Sequence, residues 1–250
     1  MRFLSLLLLV ALATGCTSSK DGITVFAAAS LTEAFQEVAN EFEEKHGAAV
    51  ELNFAGSNTL RVQIEQGVSA DVFASANEEH MRALVEEGYA DKGIAFAENR
   101  VVVVVPSDNP ANIKSVEDLC GDVKLVIAGE AVPAGRYARE ALFNLDAIYG
   151  SGFAEQVLSR VVSNEDSVRG VLAKVALGEA DAGMVYATEA LAAGDKVKVI
   201  ELPQVNVSPR YYVGVLSNSG NKELAREFVN FLLSPQGREI LQKHGFEVVR

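Results

Sequence analysis

Tryptophan is absent from the 250 residues, cysteine occurs twice and histidine three times. Two cysteines cannot build the disulfide framework of a small secreted domain. His46, His80 and His244 fall far apart near the ends of helical patterns, on polar faces, and each is predicted to sit in solvent. No HExxH, paired CxxC, GxSxG or phosphate-loop lysine pattern is present. Metalloprotease, zinc-site, hydrolase and nucleotide-hydrolysis readings therefore lack their signatures. Ser69, in Gly67-Val68-Ser69-Ala70-Asp71, lacks the closing glycine of a nucleophile elbow and a suitably placed histidine. Positive charge is also scarce: 22 Lys and Arg against 34 Asp and Glu give a net charge of −12. With no basic cluster to neutralise phosphates, nucleic acid is excluded as a partner. Internal repeats and low-complexity segments are missing as well. What is there is a globular composition, 49% hydrophobic with 22% charged residues, long enough for two lobes with separate cores.

The first sixteen residues stand apart. Arg2 precedes an apolar run over residues 3–12, too short to span a bilayer. Ala13-Thr14-Gly15-Cys16 then resembles a lipoprotein processing site, with Ala13 where leucine is usual. Residues 1–15 are predicted to be an export signal and residues 16–22 a polar tether. Cys16 would carry the lipid, at the periplasmic or extracellular face of the cell membrane. Cys120 is left without a partner and reads as a small buried hydrophobe.

From Ile23 onward, strand patterns alternate with helical ones, which implies parallel pairing. Residues 23–26 are a β-branched and aromatic strand, and Leu31, Ala34, Phe35, Val38, Ala39 and Phe42 recur at helical spacing. The turn between them is Ala27-Ala28-Ala29-Ser30, with Ser30 the expected N-cap and Glu33 completing a capping box. Similar small-residue turns precede helices at Ala55-Gly56-Ser57-Asn58, at Val132-Pro133-Ala134-Gly135 and at Asp166-Ser167-Val168. Five consecutive valines, Val101 to Val105, suit a strand covered on both faces. Character changes at Pro106 to Pro110, and a second β-rich crossing begins at Arg210. These signals predict an α/β fold of two lobes, each a mainly parallel sheet flanked by helices, with a ligand cleft between them. Lobe I is expected to comprise residues 23–105 plus 212–250, and lobe II residues 106–211.

Helices beginning at Ser30, Ser57, Ala134 and Val168 would face the cleft, two from each lobe. In open α/β sheets ligands lie outside the carboxyl ends of the strands, and a helix N-terminus offers unpaired N–H groups with about half a positive charge. This specifies a small oxyanion held by neutral donors. Arg61, Arg136 and Arg169 lie in first helical turns, where solvent-facing salt bridges are the expected role. The same serine can also simply cap its helix, and Tyr186 can simply end its strand.

Phe26-Ala27-Ala28-Ala29-Ser30-Leu31-Thr32, Val132-Pro133-Ala134-Gly135 with Tyr137-Ala138, Glu165-Asp166 near Val168-Arg169-Gly170, and Gly183-Met184-Val185-Tyr186 resemble the periplasmic molybdate-binding proteins of ABC transporters. The similarity runs in order to Lys243-His244-Gly245-Phe246. It implies the type II bilobed binding-protein fold and a non-enzymatic, monomeric receptor without cofactors. Such a receptor passes molybdate or tungstate to a membrane permease. It also implies ligand contacts from the hydroxyls of Ser30, Ser57 and Tyr186 and the backbone N–H groups of Ser30, Ser57, Ala134 and Val168. Two departures stand out: Gly56 replaces a frequent serine, and Ser167 looks like an extra residue, so that its amide and that of Val168 compete for the anion. Sulfate, phosphate or ferric iron as the ligand, and an enzyme acting on an anionic substrate, are the alternatives. Tyr211-Tyr212 is the pair an iron site would use, although adjacent strand residues point to opposite faces. A pocket of donors alone favours a fully deprotonated anion over phosphate, which keeps a proton in need of an acceptor.

Overall fold

The computed structural model describes residues 22–249. The predicted export signal and Cys16 lie outside the described residues. The chain opens with β1 (Gly22–Ala28), a 3-10 turn (Ala29–Leu31) and α1 (Thr32–His46), followed by β2 (Ala49–Ala55), α2 (Ser57–Glu65), β3 (Val72–Ser75), α3 (Glu78–Glu86) and β4 (Ile94–Glu98). It then crosses to a second sheet through β5 (Val101–Pro106), β6 (Leu125–Ala128), α4 (Pro133–Tyr149), α5 (Phe153–Leu158), β7 (Val161–Glu165), α6 (Val168–Ala176), β8 (Ala182–Tyr186), α7 (Ala187–Ala193) and β9 (Val197–Ile200). It returns with β10 (Arg210–Val215), α8 (Lys222–Leu233), α9 (Pro235–Lys243) and β11 (Glu247–Val248). Among the described residues no helix is long and apolar enough to cross a membrane.

The first sheet runs β11-β4-β10-β3-β1-β2 and the second β7-β6-β8-β5-β9. Both are mixed rather than mainly parallel. β1 pairs in parallel with β2 and β3, and β6 with β7 and β8, whereas β10 and β5 are antiparallel to their neighbours. The reason lies in the crossings: a strand that arrives from the other lobe enters its sheet from the cleft end and runs away from it, against the parallel strands.

The lobe boundaries drawn from the sequence move accordingly. The five valines, expected in lobe I, form β5 of the second sheet, buried between β8 and β9. Arg210 and Tyr211, expected in lobe II, pair with β4 of the first. The chain crosses at Asn99-Arg100 and again over residues 201–209. A run apolar on both faces suits the middle of either sheet, so its composition could not say which one it enters. The two crossings are tied side by side: Asn99 N–H donates to the Pro209 carbonyl at 2.8 Å, and Arg210 Nε donates to Glu98 at 2.8 Å. Arg100 pairs with Glu201.

Helical periodicity places the aromatic core of lobe I. Phe35 and Phe42 come from one face of α1 and meet Phe228 of α8 at ring centroids 6.2 and 5.4 Å apart, edge to face. Such pairs add about 0.5–1.5 kcal/mol beyond burial. Cys120 is only half-buried, against the expectation of a buried hydrophobe, because it ends a one-turn helix at the rim of the second core.

Candidate functional site

All four helix starts singled out in the sequence, and Tyr186, line one narrow cavity between the lobes, whose empty space of about 210 Å³ includes open solvent outside it. Lobe I contributes Ser30, in the 3-10 turn after β1, and Ser57, the first residue of α2. Lobe II contributes Ala134 in the first turn of α4, Ser167 and Val168 at the start of α6, and Tyr186 at the end of β8. None of the lining residues is charged. The first amides of a helix have no intrahelical acceptor, so the walls present N–H groups and hydroxyls without a cation.

The local sequence explains how the backbone comes so close. Pro133 occupies the first turn of α4, where its missing N–H is no loss. Gly135 follows because a Cβ there would lie 2.1 Å from the Ala128 carbonyl oxygen, so only glycine lets the helix start directly on the end of β6. Gly56 has the same role between lobes. A Cβ on it would stand 2.6 Å from the carbonyl oxygen of Asp166, the residue before Ser167. Gly56 thus lets the lobes approach at the residue next to the cap of α6.

Ser30 does not cap α1 as expected. No side chain caps that helix; the Ser30 hydroxyl lies 3.0 Å from the Tyr211 hydroxyl, both groups buried. Glu33, the expected capping-box partner, pairs instead with Arg169. The Ser57 hydroxyl accepts from Ala76 N–H at 3.0 Å rather than capping α2. Ser167 is the N-cap of α6, its hydroxyl accepting from Gly170 N–H at 3.3 Å. Tyr186 is 1% exposed, and its hydroxyl has no partner among the described residues. Burial, with Tyr211 nearby, pushes its phenol well above the ordinary range, so it is a neutral donor.

Several contacts cross between the lobes around this cavity. Arg169 of α6 donates to the Ala29 carbonyl at 3.0 Å and pairs with Glu33. Arg136 of α4 pairs with Glu79. His80 is buried, not solvated as expected, and its Nε2 meets the Ala131 carbonyl at 3.1 Å. Burial holds its imidazole pKa below the ordinary value. The helix-end position of His80 concealed this, because the surface that covers it belongs to the other lobe. Beneath Arg169 lies Glu189, 1% exposed, with Nε of the arginine 3.9 Å away. Burial pushes its carboxyl up to about 7.

Tyr211 and Tyr212 divide between two cores, Tyr211 fully buried in the main one and Tyr212 packed against the other, with a β-bulge between them. They do not form a pair of ligands. Glu165 turns away to Lys174, 2.6 Å from its Nζ, and to Ser163, and neither it nor Asp166 lines the cavity. Sequence reasoning missed the roles of Tyr211 and Ala76, which hold the Ser30 and Ser57 hydroxyls from behind, and of Asn99, which donates to Tyr211.

Two lobes joined by paired crossings, with an uncharged cavity between them, define the architecture of a two-lobed solute-binding protein. The chain belongs to the bacterial extracellular solute-binding proteins, whose family model matches residues 23–247. It is 37% identical to the molybdate-binding protein ModA of Mycobacterium tuberculosis over 239 residues, 93% of this chain and 87% of that protein. It is 33% identical to the molybdate-binding protein ModA of Escherichia coli over 247 residues, 95% and 93% of the two chains. The periplasmic molybdate-binding protein of Azotobacter vinelandii shares the fold with a TM-score of 0.78 at 20% identity, over 91% of this chain and all of that one. The sulfate-binding protein SubI of Mycobacterium tuberculosis does so with a TM-score of 0.80 at 22% identity, over 92% and 87%.

Proposed function

We propose that this chain is a receptor, not an enzyme, that captures molybdate or tungstate outside the cell membrane and delivers it to an ABC permease. The observation that carries the reading is the Tyr186 hydroxyl, buried without a partner among the described residues and lining a cavity where four helices begin. An unpaired buried hydroxyl is costly by about 1–3 kcal/mol unless a ligand completes it. The ligand contacts would be the hydroxyls of Ser30, Ser57 and Tyr186 and the amides of Ser30, Ser57, Ala134 and Val168. Of the two amides near the inserted residue, Val168 is the better candidate. It is the first residue of α6, whereas Ser167 is the cap.

The donors accept nothing from the ligand, which favours a dianion without protons. The acidic surface does not oppose this, since diffuse charge is screened over about 8–10 Å while N–H dipoles act at contact. Residues 1–15 would be the export signal and Cys16 the lipid anchor, with residues 16–22 as tether. The folded part would comprise lobe I, residues 22–98 plus 210–249, and lobe II, residues 101–200, acting as a monomer.

Calorimetric titration of the purified chain with molybdate tests the reading, with tungstate, sulfate and phosphate in competition. Molybdate and tungstate should bind within about tenfold of each other and far tighter than sulfate or phosphate. Heat with ferric iron and none with molybdate would replace the reading with an iron receptor.

A further inference from the structure

We infer that Asn99 and Tyr211, which do not line the cavity, fix the direction in which the Ser30 hydroxyl points its proton, and so make the pocket reject anions that carry one. This rests on the oxyanion reading above and names the residues that set its specificity. The direction follows from groups whose polarity is not adjustable. Arg100 N–H can only donate, and it donates to Asn99 Oδ1 at 2.9 Å. The other end of that amide is therefore Nδ2, which has no lone pair to offer. Asn99 Nδ2 spends its two hydrogens on Thr188 Oγ1 at 2.9 Å and on the Tyr211 oxygen at 3.3 Å. Tyr211, accepting there, sends its single proton to Ser30 Oγ at 3.0 Å. Ser30 Oγ, accepting in turn, is left with its own proton to give. No acceptor for it is present among the described residues, and Ser30 lines the cavity.

Burial makes the relay binding on each member. Ser30, Asn99, Tyr211 and Thr188 are at most 7% exposed, and the Asn99–Tyr211 and Tyr211–Ser30 bonds both run between buried groups. Burial also keeps the Tyr211 phenol protonated, far above its ordinary range. Ser57 reaches the same state by a shorter route, because Ala76 N–H occupies its acceptor side. Both serines thus have one lone pair engaged from behind and their own proton left for the ligand. Molybdate and sulfate suit such walls. Hydrogenphosphate must leave its proton unpaired or turn a serine proton out of the cavity, where no acceptor among the described residues receives it. Asn99 and Tyr211 are positioning residues in this scheme.

The test is the ratio of molybdate to phosphate affinity, measured by calorimetry on the purified chain, with sulfate as a second control. Tyr211→Phe removes the donor behind Ser30 and frees its hydroxyl to accept. Phosphate should gain on molybdate by about tenfold, while the ratio of molybdate to sulfate, neither of which carries a proton, stays as in wild type. The same Tyr211→Phe change made in a Ser30→Ala background should leave the phosphate ratio unmoved, since the effect acts through that hydroxyl. Asn99→Asp reverses the relay, because a carboxylate accepts from Tyr211 and turns a Ser30 lone pair to the cavity. Molybdate affinity should then fall by tenfold or more, by about the value of a charge-assisted bond. If Asn99→Asp does not fold, the Tyr211→Phe cycle decides alone. A wild type that binds molybdate while Tyr211→Phe keeps the wild-type phosphate ratio, or shifts sulfate as much as phosphate, overturns the inference by itself. A wild type that does not bind molybdate removes the oxyanion reading and this inference with it.

Discussion

In the proposed site the two lobes supply half of the donors each, and they prepare them differently. In lobe I the hydroxyls of Ser30 and Ser57 are each held from behind by a donor, Tyr211 and the Ala76 amide. In lobe II the Tyr186 hydroxyl has no partner at all among the described residues, the Ser167 hydroxyl caps α6, and the rest is backbone at the starts of α4 and α6. The serine hydroxyls of lobe I are held from behind before a ligand arrives; the Tyr186 hydroxyl of lobe II has no such hold. This division suits a receptor that must close on its cargo and let it go. An anion resting on lobe I gains the lobe II donors only by closure, and that differential contact is what shifts the population.

The largest effect that separates the lobes should be on stability. Glu189 of lobe II is buried with its carboxyl pushed from an ordinary 4.5 up to about 7, and Arg169 and Glu33 are the charges that face it. A raised acid pKa favours the protonated folded form, so its contribution to stability is full below about 4.5 and is lost as pH rises through about 7. The span corresponds to about 3 kcal/mol. Glu189→Gln should therefore raise the melting temperature above that window and leave it nearly unchanged below, which thermal unfolding on either side will show. Next come the prepared hydroxyls. Ser30→Ala should weaken molybdate binding by about 1.5–3 kcal/mol, a charge-assisted bond, without abolishing it because the amide stays. Calorimetry reads this directly. Gly56→Ala attacks the seam instead, since its Cβ would stand 2.6 Å from the Asp166 carbonyl oxygen. A misfit of this kind costs about 1–3 kcal/mol, and it should appear as weaker molybdate binding with an unchanged melting temperature of the ligand-free chain. The smallest effect belongs to Arg136→Ala. Its pair with Glu79 crosses the cleft, but both side chains are about half exposed, and exposed pairs contribute about 0–1 kcal/mol. Affinity at moderate salt should change by less than about fivefold.

Local physics made lobe II's half-site readable from the chain. Val132-Pro133-Ala134-Gly135 and the end of β8 at Tyr186 carry their reasons within a few residues: a proline where no N–H is needed, a glycine where a helix meets a strand, an aromatic at a strand end. Lobe I's serines line the cavity for a reason that differs in part from the one read in the sequence. Ser30 and Glu33 satisfy the spacing of a capping box, yet the hydroxyl answers to Tyr211, 181 residues away, and the carboxylate to Arg169, 136 away. No local pattern encodes such pairs. The same limit hid the burial of His80, whose cover is the Ala131 carbonyl of the other lobe. It also hid the sheet that the five valines would enter, since a strand buried on both faces has no side that tells one core from another.

The central claim is that one anion joins two unequal half-sites, and small-angle scattering with and without molybdate tests it most directly when wild type and Tyr186→Phe are compared. Wild type should compact on adding molybdate. Tyr186→Phe removes the lobe II hydroxyl and leaves Ser30 and Ser57 intact, so it should bind more weakly and compact less at equal saturation. A wild type whose dimensions do not change with ligand, or a Tyr186→Phe chain that binds and compacts as wild type does, would contradict the account.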